Sequence, residues 1–295
     1  MRQRLLRRPF FARFASEVDE TELESPDIVT VLKLVWFSIR RFFVERPGQI
    51  IGLGFLLVML WGSHGSLELV GLLIPDWQGP GVGIGTRPQL IRGVPWDREL
   101  ISFWAGAIIL VLVPALVIRF GFKQPLSAYG LGPPAKGRRT LAWVTFLTLM
   151  IIGLPVFWVG SRDPGMRATY PLYRPFADLP EFLLYELSYF PFFLAIEFIF
   201  RGYLLFGLAG VKDEEVNDAG GGAPGVFYFH RYALLIQMLS YTAWHLGKPL
   251  PELWGTLIWG LAAGATAYAV RSIWPLVVSH WLLNVFLDGL IVGFF

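Results

Sequence analysis

The stretch Phe182–Leu208, FLLYELSYFPFFLAIEFIFRGYLLFGL, decides the fold. It is apolar nearly throughout and longer than the roughly 20 helical residues that cross a ~30 Å hydrocarbon core. It therefore reads as a membrane-spanning helix with enough surplus length to be bent or broken. Similar runs lie on both sides: Ile50–Gly62, extending as far as Ile74, then Leu100–Ile118, Leu141–Val159, Ala233–Leu246, Leu253–Val270 and Trp274–Phe294. That makes about seven spans, or eight if a segment before Arg46 also crosses. The expected fold class is an all-α polytopic transmembrane helix bundle.

Composition agrees. Hydrophobic residues are 55% of the 295 and charged residues only 16%, against about 25% charged in soluble domains. Disorder needs the opposite balance. With no cysteine, disulfide scaffolds, thiolate metal sites and cysteine nucleophiles are excluded. The net charge of +3 does not suggest nucleic-acid binding, which goes with clustered basic surface. Twelve Trp and 25 Phe suit a lipid-facing protein with aromatic belts.

Three regions are expected. Residues 1–47 form a cytoplasmic arm, basic then acidic, with an interfacial helix over Ile28–Val44. Residues 48–125 hold the N-terminal transmembrane helices, and 126–295 a second, polar-bearing bundle. Under this topology 18 of the 25 Lys and Arg fall on the inner side and seven outside. The positive-inside rule then places the N-terminus in the cytoplasm, and the chain in the cell's inner (plasma) membrane. Gly210–Gly225 reads as a solvated connection.

A charged group inside a span is costly and usually faces the bundle interior. Three spans carry polar pairs at i, i+4: Glu197 with Arg201, Tyr241 with His245, and His280 with Asn284. That spacing puts both members on one helix face, and a bundle can turn three such faces to one cavity. A carboxylate can act as base on water. Imidazoles orient water, bind metal or shuttle protons. An Asn amide can donate to an oxyanion, and Arg201 can hold Glu197 ionised. No G-x-S-x-G or H-E-x-x-H motif competes. The bland readings are a buried ion pair for Glu197–Arg201, a helix cap for His245 and interhelical glue for His280–Asn284. Glu186 lies three turns from Glu197, about 16 Å, too far for one site in an unbroken helix. Asp288 continues the last stripe and is left outside the core set.

The segments IEFIFR (Ile196–Arg201), YTAWH (Tyr241–His245) and HWLLN (His280–Asn284), in this order, resemble the motifs of the CPBP family of intramembrane proteases (CAAX proteases and bacteriocin-processing enzymes). PLSAYGLGPP, from Pro125, resembles a loop that precedes that family's core. The likeness runs from about Leu126 to Asp288. It implies endoproteolysis of a membrane-anchored protein or peptide within the bilayer, near a C-terminus or in a leader. Glu197 would activate water with His245, while His280 and Asn284 steady the oxyanion or the water, and Arg201 and Tyr241 support them. The family has been described both as metal-dependent and as glutamate-type; Glu197, His245 and His280 could ligate zinc, and the metal-free scheme is the expectation. One position departs: the family's first motif Glu falls on Ile196. Two alternatives stay open, a non-catalytic membrane factor of the same fold (immunity or maturation helper) and a proton-coupled transporter.

Overall fold

The computed structural model describes residues 27–61, 89–134, 136–210 and 229–295. Among these residues there is no strand, and the fold is an all-α membrane bundle. The helices are α1 Ile28–Val44, α2 Arg46–Trp61, α3 Asp97–Gly121, α4 Arg139–Gly160, α5 Pro164–Thr169, α6 Leu179–Ala209, α7 Phe229–Trp244, α8 Leu250–Val270 and α9 Trp274–Val292. Five of them, α3, α4, α6, α8 and α9, are long and apolar enough to cross a membrane. The two further expected spans form helices α2 and α7 of 16 residues each, about 24 Å at 1.5 Å per residue. The expected interfacial segment is helix α1. The extension of the first span to Ile74, the arm before Asp27 and nearly all of the Gly210–Gly225 connection lie outside the described residues.

Two compact units divide the chain, Met1–Leu53 with Gly207–Ala233, and Gly54–Phe206 with Leu234–Phe295. The second holds every polar pair singled out above. At its centre is α6, the most buried of the five long helices, packed on α3 and α9. Helix α4 packs on α9 and α8, and its other face presents Trp143, Leu147, Ile151, Ile152 and Val156. An apolar exposed face of this kind is what lipid requires.

Local chemistry explains the ends. Asp178 caps α6 by accepting from Glu181 N at 2.8 Å, and Pro180 sits in the first turn, where its missing N–H costs nothing. Asp163 caps α5 in the same way, accepting from Met166 N at 2.9 Å. Helix α9 closes on Gly293 at φ +85°, a conformation glycine takes without strain. Its other end is pinned by the loop after the short turn Leu126–Tyr129. Ile273 N donates to Gly130 O at 3.0 Å, Ser272 Oγ to Gly132 O at 2.9 Å, and Trp274 Nε1 to Leu131 O at 3.0 Å. PLSAYGLGPP thus serves as a clamp on the start of the helix that carries His280. The surplus length of α6 is taken up by a π-helical segment, Phe198–Phe206, beginning one residue after Glu197. Such segments alter which residues share a helix face and recur at functional sites.

Candidate functional site

The buried centre of the larger unit is built around Glu197. Its side chain is 0% exposed. Oε1 accepts from His280 Nδ1 at 2.7 Å and from Trp259 Nε1 at 3.4 Å. Oε2 lies 3.4 Å from Arg201 Nη1. Arg201, also fully buried, sets its guanidinium over the Tyr241 ring, 4.0 Å from the centroid. Because a carboxylate only accepts, His280 Nδ1 must carry the donated proton. In the neutral ring Nε2 then keeps its lone pair, and the His280 side chain is 17% exposed. Phe193 and Trp259 hold the ring, with centroids 5.0 and 5.4 Å away.

His245 follows the last residue of α7. Its Nδ1 lies 2.7 Å from the Tyr241 carbonyl, which also only accepts, so again Nδ1 donates and Nε2 keeps its lone pair. The helix-cap reading is therefore realised, and the cap itself selects the tautomer. Nε2 faces Glu252 Oε1 at 3.7 Å, with the two side chains 7% and 16% exposed. Glu252 Oε1 accepts from Tyr170 OH at 2.7 Å, and Lys248 Nζ donates to that hydroxyl at 2.8 Å. Burial and the neighbouring Glu252 charge push the Tyr170 hydroxyl well above the usual phenol range. Burial pulls the Lys248 ammonium below the usual lysine range, against the opposing pull of Glu252.

Asn284 is placed elsewhere. Its Nδ2 lies 3.1 Å from Asp288 Oδ2 and 3.4 Å from Glu186 Oε2. Trp281 Nε1 donates to the Glu186 carbonyl at 2.8 Å. The reason is the antiparallel register of α6 and α9: Glu197 stands opposite His280, and Glu186, about 16 Å back along α6, stands opposite Asn284 and Asp288. Of the residues the sequence singles out, Glu197, Arg201 and His280 come into contact. Tyr241 joins them under Arg201 and holds His245. Asn284 is turned to a separate acidic pair, so Glu186 and Asp288 belong to its surroundings and not to those of Glu197.

Glu252 and Trp259 line the candidate site, beside His245 and Glu197 respectively, and the sequence reading missed both. A signal for Glu252 was available. GKPLP, Gly247–Pro251, separates it from His245, Gly and Pro punctuate turns, and Gly247 takes φ +90°. The turn folds Glu252 back beside the histidine. Trp259 is seven residues further on, two turns along the same face.

The three His or Glu residues considered for zinc do not form one donor set: Glu197 touches His280, whereas His245 faces Glu252. Among the described residues no group of three His, Cys, Asp or Glu side chains is arranged to hold a metal ion.

The larger unit is thus an integral-membrane helix bundle with carboxylate–imidazole pairs in its interior. Residues 181–286 match the family model described as type II CAAX prenyl endopeptidase Rce1-like. The segment bearing Glu197, Arg201, His245 and His280 is thus similar to the CAAX protease family whose motifs it resembles. No significant match to a curated protein or to a solved structure was found.

Proposed function

We propose that this chain is an intramembrane endopeptidase that hydrolyses a peptide bond near the C-terminus of a membrane-anchored protein. The observation that carries the reading is the 2.7 Å contact between buried Glu197 and partly exposed His280 within the segment matching a CAAX prenyl endopeptidase model. Peptide hydrolysis needs one group to take a proton from water and one to give a proton to the leaving nitrogen. Glu197, expected from its motif to be the base, is sealed behind His280, Trp259 and Arg201. It is better suited to act through His280, as a carboxylate that orients an imidazole and stabilises its protonated form. His280 Nε2 is the atom that can exchange a proton with substrate. The scheme needs no metal, in keeping with the split of the donor residues into two pairs. The positive-inside distribution supports a cytoplasmic N-terminus, and a cell's inner membrane is the proposed location.

The non-catalytic alternative draws on one specific observation, Ile196 at the family's first Glu position, where it is buried. Both readings face the same test. The full chain in liposomes is supplied with prenylated peptides of differing C-terminal tails. Wild type cleaves, while Glu197→Gln and His280→Ala lose about 100-fold or more in rate, the lower end of general acid–base contributions. Equal cleavage by all three overturns the roles given to Glu197 and His280, whereas no cleavage by wild type overturns the proteolytic reading and favours the binding one.

A further inference from the structure

With Glu197 sealed, the protein still needs an accessible carboxylate to take the proton of the attacking water. We infer that Glu252, paired with His245, is this general base; the inference rests on the proteolytic reading above.

Four observations lead there. First, Glu252 Oε1 and His245 Nε2 are 3.7 Å apart. Both are acceptors, because His245 Nδ1 spends its proton on the Tyr241 carbonyl. Two acceptors at that distance form no hydrogen bond with each other. A molecule that donates twice suits the position, and water does so, leaving its oxygen lone pairs free for attack. Second, Glu252 Oε2 is buried and has no hydrogen-bond partner among the described residues. A buried carboxylate oxygen without a donor is costly in a purely structural role. Third, the Glu252 side chain is partly exposed, unlike that of Glu197. Fourth, Glu252 is steadied on its far side by Tyr170 OH, itself held by Lys248, so its Oε1 is fixed without being neutralised by a direct ion pair.

The step balances. The water oxygen bonds to the peptide carbonyl carbon as one water proton passes to Glu252. The proton taken up by Glu252 then passes to the lone pair of His280 Nε2, and from there to the leaving nitrogen as the C–N bond breaks. The products are a carboxylic acid and an amine. Glu252 is again a carboxylate and His280 again neutral, with one water consumed. His245 orients the water. Tyr241 links the two pairs, through its carbonyl to His245 and its ring beneath Arg201. The missing acid of the first motif is in this scheme supplied from the first turn of α8.

The test uses the full chain in liposomes with a cleaved prenylated peptide. Glu252→Gln keeps the shape and the bond from Tyr170 but removes basicity. It is expected to lower kcat by about 100-fold or more with KM changed less than about threefold. Glu252→Asp, which retains a carboxylate, recovers part of the rate. Thermal unfolding of each variant is followed alongside, and Tyr170→Phe, which frees the carboxylate without removing it, is expected to lower kcat modestly. Glu252→Gln at wild-type kcat overturns the inference and leaves the proteolytic reading intact. Glu252→Asp no better than Glu252→Gln, with both folded, also overturns it. A wild-type chain that cleaves nothing removes both. Should Glu252→Gln unfold, the Tyr170→Phe and Glu252→Asp rates decide: wild-type kcat in both refutes the base role.

Discussion

Removing either member of the Glu197–Arg201 pair strands the other in a dry interior, and the size of the penalty follows from the geometry. At 3.4 Å and an effective dielectric of about 20, the attraction is about 5 kcal/mol. Breaking a buried pair by deleting one partner costs about 3–5 kcal/mol. Glu197→Gln keeps an acceptor for His280 and Trp259, so its loss is the charge alone. Arg201→Gln also removes the cation from the Tyr241 face, worth about 0.5–2 kcal/mol more. The double variant Glu197→Gln, Arg201→Gln buries neither charge and is expected to cost less than the sum of the single changes by about 2–4 kcal/mol. Urea unfolding in bicelles measures all three, and cleavage is read on the same samples. Stability should recover in the double variant while cleavage does not, because His280 still lacks its carboxylate. Single changes costing under about 1 kcal/mol, or additive ones, refute the claim that this is a desolvated, mutually dependent pair.

Three further outcomes follow from neighbouring contacts. Asn284→Leu removes the one amide shared by Glu186 and Asp288 and is expected to cost about 1–3 kcal/mol in the same unfolding assay; a neutral change means that this amide is not holding α6 to α9. A Cβ on Gly264 would lie 2.5 Å from Gln237 Nε2 and 2.6 Å from Leu234 Cδ1, and Gln237 Nε2 also donates to Gly260 O at 2.6 Å. Gly264→Val should therefore push α7 from α8 at about 1–3 kcal/mol, detected by unfolding and by faster proteolysis of the α7–α8 turn. Because the donors divide into two pairs, a membrane-permeant chelator should leave cleavage within about twofold; loss of activity restored by zinc refutes the metal-free scheme.

The membrane class and the polar stripes were legible because each rests on a local rule. Span length sets the apolar runs, and i, i+4 spacing sets the shared faces. The surplus length of Phe182–Leu208 was legible for the same reason, but α6 runs unbroken from Leu179 to Ala209 and accommodates the surplus in a π segment after Glu197. What i, i+4 spacing cannot give is the register between helices. His280 and Asn284 share a face of α9, yet only His280 stands opposite Glu197. The antiparallel offset hands Asn284 to Glu186, a residue whose 11-position distance from Glu197 correctly argued against a common site. Glu252 was missed for a different reason. It shares no helix with His245, and only the turn closed by Gly247 brings the two together.

The contrast between the two carboxylates carries the mechanistic argument. A group that must keep a neighbour protonated and aligned benefits from burial, because low dielectric strengthens each fixed contact. Glu197, with its contacts to His280, Trp259 and Arg201 and no exposure, has that environment. A group that must meet water and take its proton needs an oxygen without a fixed donor, a side chain not wholly sealed and a partner that does not neutralise it, and Glu252 has all three. A bare arginine beside an accessible base would tie that base into an ion pair. Here Arg201 is committed to Glu197 and the Tyr241 ring, so the cation stabilises the buried carboxylate without quenching the accessible one. Under the inference that Glu252 is the base, the buried Ile196 ceases to be a lesion, because the basicity is then supplied from the next helix but one.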